Sequence, residues 1–267
     1  LQRDPLPVAR ALRIRAAARR VGWQDTPLPP LPPGAPLRGG VRALELQSAC
    51  GFRAAVELRL GARPLEQPGL GLDPRTRGAL AHEALQHFWG EVGTQSALLA
   101  LRPEPRRQTV REAIARACER LPERLRRTRT VALERRWLER AMLALLEIEA
   151  TRPPFTVLAR EQTEQWPIAG HALEVRIDRI DRLADGTTVV IDYKTGASGL
   201  APSRWTGPRP DQPQLPTYAA HLAETPVAVA FARLALAAVG FSGLGAEAGL
   251  LPGVRAVARP RHAALRG

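Results

Sequence analysis

The chain has 267 residues, 45% apolar, 24% charged and 4% aromatic, with 22 Gly and 25 Pro, which suits one large soluble domain or two small ones and excludes collagen-like and low-complexity readings. Its formal charge of +13 draws it to polyanions, nucleic acid first, by a salt-sensitive attraction, although a genomic bias toward Arg gives the same excess. No run of about 18 apolar residues suggests a membrane partner, and two cysteines, Cys50 and Cys118, are too few for a disulfide framework, which favours a reducing cytoplasmic compartment.

Within residues 1–25, residues 6–21 alternate Arg with apolar residues at helical spacing. This basic stretch superficially suits a transit peptide, but the end of an upstream helical region is the simpler reading. Residues 26–40, TPLPPLPPGAPLRGG from Thr26, are a proline-rich linker. A domain over 41–245 follows, with a tail over 246–267. Within it Arg42 to Leu60 reads as a helix and Gln67 to Leu72 as a loop. Asp73 and Pro74 supply an N-cap and a first-turn proline for a helix running to about Val92, ended by Gly93. A helical insertion spans about residues 95–150, with two helices bent near Pro122. Between Arg102 and Arg140 stand 13 Arg and six Glu, either a solvated face of Glu/Arg pairs or a phosphate-binding surface, with Arg126, Arg127 and Arg129 the candidate DNA contacts.

After Pro153-Pro154 the period changes to two. Phe155 to Gln162, Gln165 to Ile180 and Thr187 to Lys194 read as strands, with Ala184-Asp185-Gly186 as a hairpin turn. A short helix from about Gln212 to Ala223, a strand from Val227 to Val239 and a frayed tail complete an α/β core.

Of 39 basic residues, Lys194 is the sole lysine. Arg carries the same charge, so a lone Lys suggests a task for a compact, mobile ammonium. Asp192 shares its strand face. A three-residue hairpin loop sets Asp178 directly opposite Asp192, and is favoured because it puts Leu173, Val175 and Ile177 on one buried face with Val189, Ile191 and Tyr193. Two opposed carboxylates repel unless a cation lies between them. Mg²⁺, or Mn²⁺, suits such a site better than zinc, and Lys194 beside it could orient a water and stabilise charge on a scissile phosphate. A plain Asp–Lys salt bridge is the competing reading.

IDRID (Ile177 to Asp181), the Asp-Gly turn and VVIDYKTG (Val189 to Gly196) resemble the nuclease core of the PD-(D/E)XK superfamily, in particular its RecB/AddB-type domain. RGALAHEALQHFW (Arg77 to Trp89) is similar to that family's first motif, whose histidine joins the metal site and falls on His82. QLPTY (Gln214 to Tyr218) resembles its last motif, and LELQSACGFRAAVELRLGA (Leu44 to Ala62) its first helix. The resemblance implies a restriction-endonuclease-like core, a central mixed sheet flanked by helices. It implies a metal-dependent DNA nuclease, in exonuclease mode, acting on duplex ends or single strands in break repair and recombination. A helicase partner or an upstream helicase-like domain, and a prokaryotic, nucleoid-associated location, go with it. His82, Asp178 and Asp192 are then the metal ligands, Lys194 and Gln214 further catalytic residues, and Tyr218 and Arg77 DNA contacts. Glu161 is a supporting candidate; Asp181 and Asp185 take turn and surface roles. An iron–sulfur cluster is not expected, since no cysteine follows Cys118. The rival reading is a non-catalytic DNA-binding or scaffold domain that kept the fold.

Overall fold

Residues 28–62, 71–196, 201–205 and 210–257 are described by the computed structural model, and the architecture below belongs to the unit Pro33–Gly267. The helical reading of residues 1–25 lies outside the described residues. Six strands form one mixed sheet in the order β1-β2-β3-β4-β5-β6: β1 (Phe155–Ile168), β2 (His171–Leu183), β3 (Thr188–Lys194), β4 (Ala228–Arg233), β5 (Gly240–Gly245) and β6 (Val254–Ala256). β1, β2 and β3 make an antiparallel meander, β4 pairs parallel to β3, β5 antiparallel to β4, and β6 parallel to β5.

The helices are α1 (Val41–Ala49), α2 (Gly51–Leu58), α3 (Pro74–Val92), α4 (Gln95–Ala100), α5 (Pro103–Cys118), α6 (Glu123–Arg126), α7 (Arg129–Ala150) and α8 (Gln214–His221). One sheet face packs under α3, α5 and α7, where Leu80, Leu85, Ile114, Leu138 and Leu145 meet Val189, Ile191 and Ala230. The other carries α1 and α8, where Ala43, Leu215 and Tyr218 meet Leu173, Val175, Val190 and Phe231. α3 forms where expected: Asp73 Oδ1 accepts the Thr76 N–H at 2.9 Å, Pro74 opens the first turn, and Gly93 closes the helix at φ +67°, the left-handed conformation that favours glycine.

Several boundaries differ from the sequence reading. The helix expected over 42–60 breaks at Cys50, whose backbone is extended. β1 runs on to Ile168 and reverses through Ala169-Gly170 (φ +48° and +78°), a two-residue turn with both centres left-handed; the polar residues Gln162 to Glu164 are an exposed part of an edge strand, not a break. The single strand expected over 227–239 is β4 followed by a reversal into β5. The stretch 246–257 is no frayed tail, since Leu251 is buried and β6 completes the sheet. The proline-rich segment is also docked: Leu37 N–H donates to the Ala172 carbonyl at 2.8 Å and Gly34 N–H to that of Gly170 at 3.1 Å.

Candidate metal centre

The β2–β3 hairpin carries the centre. Leu183 N–H donates to Thr187 O at 2.8 Å and Gly186, at φ +87°, donates back to Leu183 O. The loop therefore has three residues, and Arg179 faces Ile191 and Asp181 faces Val189. The paired ladder ends one residue short of Asp178 and Asp192, where the Asp178 side chain takes the Tyr193 N–H at 2.7 Å. The three-residue loop is the expected one, for a reason different from the one the apolar pattern suggested. Leu173, Val175 and Ile177 pack with α1 and α8, whereas Val189, Ile191 and Tyr193 pack under α3 on the opposite face. Both faces are buried. Ile177 and Ile180, three residues apart, lie in one layer, so the alternation of β2 breaks at Asp178.

β1 kinks at the same level. Arg160 pairs with Arg179 and Gln162 with Ile177, while Glu161 between them has φ +51°. The register continues through this kink, the bulge of β1 lying at Val157/Ala159, and the Glu161 carboxylate faces α3. His82, on α3, meets it there. His82 Nδ1 lies 3.3 Å from Asp178 Oδ1 and 3.5 Å from Glu161 Oε1, and Nε2 lies 2.9 Å from the Tyr193 carbonyl. A carbonyl only accepts, so Nε2 carries the proton. In the neutral ring Nδ1 is then the lone-pair nitrogen, turned to the two carboxylates, the arrangement of a ligating histidine held by its other nitrogen. One ligand atom each from His82, Glu161 and Asp178 lie within 4.8 Å of one another.

Glu161 joins the expected His82 and Asp178 in the close group. The third expected ligand, Asp192, lies near enough to feel the charges of Asp178 and His82, and is 2.6 Å from Lys194 Nζ and hydrogen-bonded by Gln214 Nε2. Gln214 Oε1 accepts from Lys194 Nζ at 2.9 Å, so one amide ties the lysine to the aspartate. Tyr218 fixes that amide: its hydroxyl accepts from Gln214 Nε2 at 3.0 Å and donates to the Arg176 carbonyl at 2.9 Å. Expected at the DNA, the residue is 1% exposed and lines a cleft beside Lys194.

The electrostatics describe a site short of positive charge. Burial pulls the His82 imidazolium down, but the Asp178 and Glu161 carboxylates outweigh it and push its pKa up to about 10. Burial and then the charge of Asp178 push Asp192 up to about 7, against the pull of Lys194 and His82. Burial opposes ionisation of Glu161, yet His82 and Arg176 hold it below its ordinary value. Burial likewise opposes the Lys194 ammonium, and the Asp192 carboxylate more than restores it. Glu161 Oε1 is buried with no hydrogen-bond partner. An orphaned carboxylate oxygen, a nearby carboxylate and an imidazole nitrogen fit a divalent cation such as Mg²⁺ or Mn²⁺.

The expected DNA contacts fare unequally. Arg77 forks onto Glu134 and lies over the Trp137 ring at 5.4 Å, joining α3 to α7. Arg127 Nη2 is 2.7 Å from Glu123, and Arg106, Arg111, Arg116 and Arg120 also meet glutamates. Arg126 and Arg129 are exposed and have no ion pair among the described residues. Asp181, expected on the surface, is 0% exposed. It accepts from Arg179 and Arg152, which also hold Glu149, and the two guanidiniums lie about 4 Å over Trp89 and Phe155. No periodicity announces this network, because its members come from α7, the turn after it and β2. No helix among the described residues is long and apolar enough to cross a membrane.

A family model described as the PD-(D/E)XK nuclease superfamily matches residues 41–250. No curated protein matches the chain.

Proposed function

The chain belongs to the PD-(D/E)XK nuclease superfamily, and from that premise we propose that it is a Mg²⁺- or Mn²⁺-dependent deoxyribonuclease with Glu161, Asp178 and His82 as cation ligands and Asp192, Lys194 and Gln214 beside them. The observation that carries this reading is the convergence of three ligand atoms within 4.8 Å next to an Asp–Lys pair at 2.6 Å. A bound divalent cation supplies positive charge against the non-bridging oxygens of the scissile phosphate.

The protein's own groups do the rest. Tyr193 N–H and C=O hold Asp178 and His82. Gln214 keeps the Lys194 ammonium beside Asp192, where it can orient the attacking water and meet charge developing on phosphorus. Asp192, with its pKa near 7, is suited to take a proton from that water. Hydrolysis breaks one P–O bond, takes up one water and leaves a phosphomonoester on one product and a hydroxyl on the other.

The finer reading, a RecB/AddB-type exonuclease working with a helicase on broken DNA in a prokaryotic cytoplasm, is supported by the order of His82, Asp178, Asp192, Lys194, Gln214 and Tyr218 along the chain. Linear duplex and single-stranded DNA incubated with Mg²⁺, with Mn²⁺ and with chelator tests the activity. Cleavage that needs the cation is expected; cleavage unaffected by chelator, or none with either cation, contradicts it.

A further inference from the structure

A cleft of about 410 Å³ lies beside Lys194, between the start of α1, the β2 segment Glu174–Arg176 and the start of α8. Its walls are in mutual contact. A Cβ at Gly40 would stand 2.9 Å from the Glu174 carbonyl, so α1 is pressed onto β2. The Tyr218 hydroxyl closes α8 onto β2 through Arg176 O, and Ser48 Oγ donates to Pro210 O at 2.8 Å, joining α1 to the approach to α8. The volume is at the small end of the range for small-molecule sites, about 300–1,000 Å³, and suits one nucleoside rather than a length of strand.

The cations of the lining are each paired with a carboxylate: Arg42 with Glu57, Arg176 with Glu161, and Lys194 with Asp192. Beside these pairs stand acceptors with no cation of their own. Glu45 has no hydrogen bond or ion pair among the described residues, Gln212 Oε1 is buried without a partner, and the Glu174 carboxylate is met by Gln165 Nε2 at 3.5 Å. Acceptors call for donors, which the hydroxyl of a terminal sugar and the amino groups of a base provide. The two carboxylates repel a terminal phosphate.

We infer that this cleft seats the terminal nucleoside of a nucleic-acid strand, bearing a free hydroxyl, next to the scissile phosphate, so that the enzyme works inward from hydroxyl ends and releases mononucleotides. The inference rests on the nuclease reading above and specifies its substrate. The test uses internally labelled single-stranded DNA in three forms, with hydroxyl ends, with phosphate at both ends, and circular, each with the whole chain and Mn²⁺. Hydroxyl-ended DNA is expected to yield mononucleotides first and to be cut at least about tenfold faster than phosphate-ended DNA, the scale of one unfavourable charge contact, while the circle stays intact. Glu45 is exposed on α1, so Glu45→Gln should fold normally and reduce the preference below about threefold, because an amide can donate to phosphate. Cutting of the circle at a comparable rate, first products longer than one nucleotide, or indifference to terminal phosphate overturns the inference and leaves the nuclease reading standing. Absence of cleavage of all three forms overturns the inference, and the duplex assay above then decides the nuclease reading.

Discussion

Asp178 and Tyr193 are joined across the hairpin: the Tyr193 N–H donates to Asp178 Oδ2 at 2.7 Å while Asp178 Oδ1 faces His82 at 3.3 Å. The same residue's carbonyl holds His82 Nε2 at 2.9 Å. One residue flanked by Asp192 and Lys194 therefore aims two of the three proposed ligands.

Glu161 gives the first prediction. If it ligates the cation, Glu161→Gln should lower Mn²⁺ affinity by about 10- to 100-fold, comparable to losing a supporting group of a metal site, with the circular dichroism spectrum unchanged. Calorimetric titration of the whole chain measures this. Affinity within twofold of the parent would return Glu161 to being a partner of Arg176.

The proton on His82 sets the pH dependence of cation binding. With a pKa of about 10 the cation-free ring is charged at neutral pH, and ligation through Nδ1 must release that proton. Apparent Mn²⁺ affinity should then rise by up to about tenfold per pH unit between pH 6.5 and 8.5. The same shift stabilises the cation-free fold fully below the ordinary value of 6.5 and is lost as pH rises through about 10, because the folded state holds the proton more tightly than the unfolded chain. His82→Asn should abolish the pH slope of binding; an unchanged slope would assign the proton elsewhere.

Lys194→Arg keeps the charge but replaces a narrow ammonium by a planar fork that is effectively never deprotonated. Single-turnover cleavage at saturating Mg²⁺ should fall by about 10²-fold or more, the scale for one positioned electrostatic group. A loss of less than about threefold, well short of that scale, would make Lys194 no more than a salt-bridge partner of Asp192.

Among the arginines proposed to meet DNA, Arg126 and Arg129 are free of ion pairs among the described residues and Arg127 is tied to Glu123. Replacing the first two by Ala should reduce the slope of log affinity against log salt by up to about 0.9 each on duplex DNA, and Arg127→Ala should do less. Fluorescence anisotropy at several salt concentrations checks it, and equal slopes in all variants would leave these residues a solvated face.

The legible parts of the chain were those governed by local chemistry. Asp73, Pro74 and Gly93 bound α3 within one or two residues because capping and left-handed termination depend on residue type. The three-residue loop Ala184-Asp185-Gly186 is correct for another reason than the apolar-face argument that selects it: the two apolar sets lie on opposite faces, and Gly186 at φ +87° makes the turn. Glu161 was visible only as a supporting residue, since its role depends on a left-handed kink that no neighbouring Gly or Asn advertises. Asp181 reads as a surface residue because alternation assumes one wet face; both faces of this sheet are covered, and it joins Arg179 and Arg152 instead. The reversal after β4 hid within an apolar run, as Leu234 to Val239 contains neither Gly nor Pro.

The central claim is that His82, Glu161 and Asp178 hold a divalent cation that phosphodiester cleavage requires. Single-turnover cleavage of labelled linear DNA by the parent chain and by Asp178→Asn, across a Mn²⁺ titration and with chelator, tests it most directly. Expected is cation-dependent cutting by the parent, none with chelator, and for Asp178→Asn a half-saturating Mn²⁺ concentration raised at least about tenfold with a reduced limiting rate. Equal titration curves for the two proteins, or cutting by the parent in chelator, would contradict it.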